Sequence, residues 1–123
     1  MRKAKKQILK TFENSWVDSS NHALFYYDDI FVVVTLYPSN TIILVEVCML
    51  DDCQDVLPYS IREIENILNR RFKNKVVVDF NRVMIQDIVY GKFNIDSVKF
   101  NVQEMAKRAK SYKLKLVKND ATE

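Results

Sequence analysis

The chain has 123 residues, the size of one domain able to bury about two-thirds of its unfolded surface in a single core. With 48% apolar and 28% charged residues it has an ordinary globular composition. One Gly and two Pro exclude a glycine-rich phosphate loop and a long flexible linker, and no apolar run approaches the ~20 residues of a membrane span.

The net charge of +3 is segregated. Residues 1–10 carry five positive charges and no negative one, residues 107–123 carry six positive and two negative, and the body between them is acidic. The basic start is interrupted by Asn14, Ser15 and Asp18 where a signal peptide would need an apolar stretch, so a cytoplasmic protein is expected. Cys48 and Cys53 are too few for a disulfide framework, and their spacing with no His nearby does not build a zinc site. Free thiols, no metal and no cofactor are the expectation. Abundant Lys, Asn and Ile have the flavour of an AT-rich genome and point to a bacterial or phage source.

In chain order, Ala4, Ile8, Leu9, Phe12 and Trp16 recur at helical spacing with Lys3, Lys6, Lys10 and Glu13 on the other face, which predicts an amphipathic helix stopped by Asp18-Ser19-Ser20-Asn21. Leu24–Tyr27, Ile30–Tyr37 and Thr41–Leu50 are rich in β-branched and aromatic residues and read as three antiparallel strands, turning at Asp28-Asp29 and at Pro38-Ser39-Asn40. One long strand running through Asp28-Asp29 is the alternative. An acidic loop with Asp51, Asp52 and Asp55 follows. Ser60 and Glu63 then form a capping box ahead of a helix over roughly 60–72. Val76–Phe80 and Val83–Tyr90 predict a second hairpin turning at Asn81-Arg82. Asp96 is the expected N-cap of a last helix whose apolar stripe is Val98, Val102, Met105, Ala109 and Tyr112. The reading is a single α+β domain over residues 1–112 in the order αβββαββα, an antiparallel sheet packed by helices, with 113–123 as a basic, mobile tail.

That order resembles the fold of type III secretion chaperones and their bacterial chaperone-like relatives. The stretches that carry the likeness are I64-E-N-I-L-N-R-R-F72, V76-V-V-D-F-N-R-V-M-I85 and F93-N-I-D-S-V-K-F-N-V-Q-E-M-A-K-R-A-K-S-Y112. The resemblance implies a homodimer without an active site that binds an extended segment of a partner protein across apolar patches. A physical argument points the same way. Ile30, Val32, Val34 and Leu36 alternate with Phe31, Val33 and Tyr37, so both faces of one strand are apolar, whereas a one-sided sheet should alternate apolar with polar. Either the first helix covers the second face or a partner does.

The function expected is therefore a non-enzymatic protein-binding module, chaperone-like or a small phage- or plasmid-type inhibitor of a host protein. Its partner surface would include Leu9, Phe12, Trp16, Phe31 and Val33, and its dimer contact Ile67, Phe72, Val76, Val78 and Val83. The alternative is a nucleic-acid-binding accessory protein whose Lys3, Lys5, Lys6, Lys10, Lys107, Lys110 and Lys113 meet in one basic patch. A remote third reading is a degenerate Mg²⁺-dependent nuclease, with Asp29 and Glu46 as metal carboxylates and Cys48 where a lysine should stand. A helix opening Tyr59-Ser60-Ile61-Arg62-Glu63 lacks the lysine cluster of a double-stranded RNA-binding domain. His22 reads as a loop residue with no paired acid, and the aromatics Phe25, Tyr26, Tyr27 and Tyr37 as core or interface.

Overall fold

Two consecutive aspartates set the first turn of the sheet. Asp28 and Asp29 both take positive φ, 50° and 65°, the backbone of a two-residue type I′ hairpin loop whose twist matches that of its strands. Tyr27 consequently pairs with Ile30, and β2 (His22–Tyr27) runs antiparallel to β3 (Ile30–Leu36). The single long strand is thereby excluded. The computed structural model describes residues 2–37, 42–51, 61–79 and 82–122. The expected turns at Pro38–Asn40 and Asn81, the cap Ser60, and Asp52 and Asp55 of the acidic loop lie outside them.

The first helix, α1 (Arg2–Thr11), ends earlier than its apolar spacing predicts. Phe12 N–H still donates to Ile8 O at 3.0 Å, and then Asn14 at φ 56° turns the chain out of the helix. Trp16 therefore leaves the helical stripe and, with Val17, forms a short strand β1 (Trp16–Val17) opposite Leu24 and Ala23. The chain re-enters the sheet over Asp18, whose carboxylate accepts from the backbone N–H of Ser20 and of His22, each at 2.9 Å, and from His22 Nδ1 at 3.1 Å. These bonds, the His22 backbone N–H foremost, hold the Asp18 carboxyl below its usual 3.8. His22 thus has an acid partner, four residues upstream, and the pair acts as a turn staple.

β4 (Ile42–Leu50), β5 (Lys75–Asp79) and β6 (Arg82–Tyr90) complete a six-stranded, fully antiparallel sheet of order β1-β2-β3-β4-β6-β5. The expected order of elements along the chain gains only the two-residue β1. Ala23, Phe25, Val32, Val34, Val45, Val47, Val83 and Ile85 are buried on one face. Over them lie Ile8 and Phe12 of α1 and Val98, Val102, Met105 and Ala109 of α3 (Ile95–Thr122). Phe12 stacks on Phe25 with ring centroids 4.1 Å apart.

Asn94, not Asp96, caps α3, its Oδ1 accepting from the N–H of Asp96 at 2.9 Å and of Ser97 at 3.4 Å. The helical backbone continues to Thr122, past the boundary expected at Tyr112. Tyr112 closes the apolar stripe, but no Gly or Pro follows to stop a run of good helix formers.

The remaining helix, α2 (Ile61–Arg71), covers the outer edge of β5. Asn69 binds that edge as a neighbouring strand would: its Nδ2 donates to Val76 O at 2.9 Å and its Oδ1 accepts from Val76 N–H at 2.7 Å. Glu65 Oε1 accepts from Val78 N–H at 2.9 Å. After α2 the buried Asn74 ties the turn to α3, its Oδ1 accepting from Arg108 Nη1 at 3.3 Å and from the Tyr112 hydroxyl at 3.2 Å. Tyr112 also stacks on Phe72 at 4.3 Å. Leu68 and Phe72 join the common core.

Candidate functional site: the open face of the sheet

All three helices contribute to the core on one face of the sheet. α1, which could have covered the second face, joins the first instead, packing on β1 and α3. The buried side chains of the three helices belong to that core, and the opposite face holds the partly exposed residues of the sheet, although Thr35, Cys48 and Met84 on it are buried.

The strand register gives the composition of that bare face. One row across the sheet is Leu24, Val33, Glu46, Gln86 and Lys75, and the next toward the loop ends of β2 and β3 is His22, Thr35, Leu44 and Ile88. Tyr26 opposite Phe31, Met84 opposite Cys48, and Ile42 opposite Tyr90 extend it on either side. Leu24, Phe31, Val33 and Leu44 are half-buried with no helix above them. Trp16 is 56% exposed, Tyr26 67% and Tyr90 75%.

The face is contoured. Leu24, Phe31, Val33 and Met84 wall a cavity of about 270 Å³ that also takes in His22, Glu46 and Arg82. A second hollow, also of about 270 Å³, lies between Tyr37, Ile42, Leu44 and Ile88. Arg82 is laid over the Phe31 ring, its guanidinium carbon 4.7 Å from the centroid. Glu46 accepts a hydrogen bond from Gln86 Nε2 at 2.9 Å on the neighbouring strand.

Of the five residues expected to bind a partner, Trp16, Phe31 and Val33 come together on this face. Leu9 is 45% exposed on α1, on the other side of the sheet, and Phe12 is 5% exposed inside the core. Phe12 cannot be a contact without opening the fold. The dimer set divides similarly: Phe72, Val76 and Val83 are buried within the chain's own core, while Ile67 and Val78 are half-buried. Composition hid these assignments because helix and strand positions with the same apolar character differ only in which side they face. Leu24, Tyr26, Leu44, Met84, Ile88 and Tyr90 were missed as a set. The signal for the first two was the two-residue turn: once Tyr27 faces Ile30, Leu24 must face Val33.

The nuclease arrangement is not assembled. Asp29 sits in the hairpin loop, whereas Glu46 lies opposite Val33, four residues away along β3 and hence about 13 Å distant, too far to share an ion. Cys48 is buried, with its Sγ directed at Asp51 Oδ1 at 3.4 Å. Burial, and next the Asp51 carboxylate, push its thiol up to about 12. α1 packs beside α3, the two elements that carry the basic ends of the chain. Two of their cations are engaged, Lys110 with Asp28 and Lys107 with Glu104 at 3.7 Å.

An α+β arrangement of a first helix, a six-stranded antiparallel sheet and a C-terminal helix is a secretion-chaperone-like fold. A chain in the crystal structure of the ExsC–ExsE complex shares it with a TM-score of 0.68 at 17% identity, over 94% of this chain and 91% of that one. The sequence matches no protein-family model and no curated protein.

Proposed function

We propose that this protein is a non-enzymatic, chaperone-like binding module that holds a segment of a partner protein on the open face of its sheet. The observation that carries the reading is that all three helices direct their buried side chains into the core on one side of the sheet, while Leu24, Phe31, Val33 and Leu44 on the other side stay partly exposed. One solved neighbour comes from a complex of two named proteins, in keeping with a fold used to hold a partner. The active unit is a homodimer, for which Ile67 and Val78 remain the accessible part of the expected contact. A phage- or plasmid-type product that blocks a host protein uses the same physics. The two roles separate on whether the partner keeps its activity while bound.

The test is co-purification from the source cell with wild type and with Val33→Glu, whose charge falls in the middle of the face. Retention of a stoichiometric partner by wild type and its loss by the variant, at an unchanged urea midpoint, is the expected result. Equal retention by both would move the binding surface elsewhere. The adjacency of α1 and α3 favours one second reading, a basic nucleic-acid patch. It predicts binding that weakens steeply with salt and vanishes when Lys5, Lys6, Lys110 and Lys113 are neutralised. Binding that survives those changes would end it.

A further inference from the structure

The hollow between Leu24, Phe31, Val33 and Met84 has mainly apolar walls, but Glu46 adds a carboxylate to its lining. Glu46 is half-buried in the middle of β4, flanked in its row by Val33 on one side and Gln86 on the other. Gln86 supplies one hydrogen bond, to Oε2. Oε1 takes none from any described residue, and no described cation lies within ion-pair distance. The half-buried carboxylate is not among the buried side-chain groups left without a partner, so Oε1 is open to the hollow that Glu46 lines, a charged mark in an otherwise apolar row.

The basic side chains around the cavity face other partners. Arg82 lies over Phe31, and His22 Nδ1 is held by Asp18. Lys75 stands at the far end of the row, beyond Gln86. A cation meeting Oε1 would come from outside the described residues. A lysine or arginine suits the space, since its methylene stem can lie along Leu24, Val33 and Met84 while its charged head reaches Glu46.

We propose that this hollow is a receptor for one lysine or arginine side chain presented within an apolar segment of the partner protein. This rests on the open face being the binding surface and adds what that surface reads: apolar side chains alone would bind it indiscriminately, and Glu46 sets the register at which a segment docks.

The probe is a short capped peptide of Leu, Val and Ser with a central lysine, compared with a peptide of identical composition whose lysine is moved to the C-terminus. Both carry the same charge, so only position differs. Trp16, opposite Leu24 at the rim, reports binding by its fluorescence. The expected result is about ten-fold tighter binding of the central-lysine peptide, with the preference abolished in Glu46→Gln, which keeps the Gln86 bond, while the shifted peptide binds both proteins equally. Equal binding of the two peptides to wild type overturns the receptor and leaves the open face standing. Binding of neither overturns both. If instead Val33→Glu converts a wild-type dimer to monomer in light scattering, the face belongs to a second copy and the receptor proposal falls.

Discussion

Phe12 and Leu9 lie three residues apart on the same turn of sequence and have opposite fates. Phe12 is stacked on Phe25 in the core, while Leu9 is 45% exposed. Phe12→Ala should cost about 3–5 kcal/mol, the usual cost of removing a buried aromatic ring, and Leu9→Ala no more than about 0.5 kcal/mol, both measured by urea unfolding. Similar losses at the two positions would show that α1 is rotated relative to this packing. Helical spacing placed both residues on one broad apolar face, and only tertiary packing separates its centre from its rim. Cys48 yields a second prediction at this scale. An unfolded thiol ionises near 9.0, whereas the buried one keeps its proton to about 12. The neutral thiol therefore favours the folded state below pH 9, and that contribution fades as pH rises from 9 toward 12. In a Cys53→Ser background, Cys48 should resist a thiol reagent at pH 8 until denaturant is added. Prompt labelling of the native protein would contradict the burial.

At the scale of elements, the Asp28-Asp29 hairpin was legible because two small polar residues between aromatic runs allow few other conformations. Both nevertheless pay a steric penalty at positive φ, which glycine avoids. Asp29→Gly should raise stability by about 0.5–1 kcal/mol in thermal or urea unfolding, with Asp28 left to hold Lys110. A loss would mean that the Asp29 side chain makes an energetically important contact. Element ends were harder to read than element types. Trp16 fits the helical stripe of α1 in sequence, but the positive φ of Asn14 takes it into β1, a two-residue strand no pattern can announce. The end of α3 was placed at Tyr112 because the apolar stripe stops there. A helix can continue without a buried face when its residues favour it, and Leu114, 71% exposed, already lies beyond the core.

For the whole molecule, the two-faced apolar character of β3 was visible in sequence, and with it the choice between a covering helix and a partner. The sequence could not decide between them, because the side taken by α1 depends on the path through Asn14, Asp18 and the short β1. The strands of the bare face are likewise brought together by register, with β6 inserted between β4 and β5, so that Glu46 and Gln86, forty residues apart, share a hydrogen bond. The same insertion leaves β5 as the outermost strand, with α2 bonded along it through Asn69 and Glu65. That seal has a consequence for the fate of the protein at high concentration. An unguarded outer strand is a template on which a second molecule can add its own strand, and the addition can repeat without end. Asn69→Ala combined with Glu65→Ala unmasks three backbone groups at once. The double variant should form thioflavin-positive fibres at concentrations where wild type stays dispersed, and continued dispersal would mean that the bulk of α2, without its hydrogen bonds, is enough to keep the strand from polymerising.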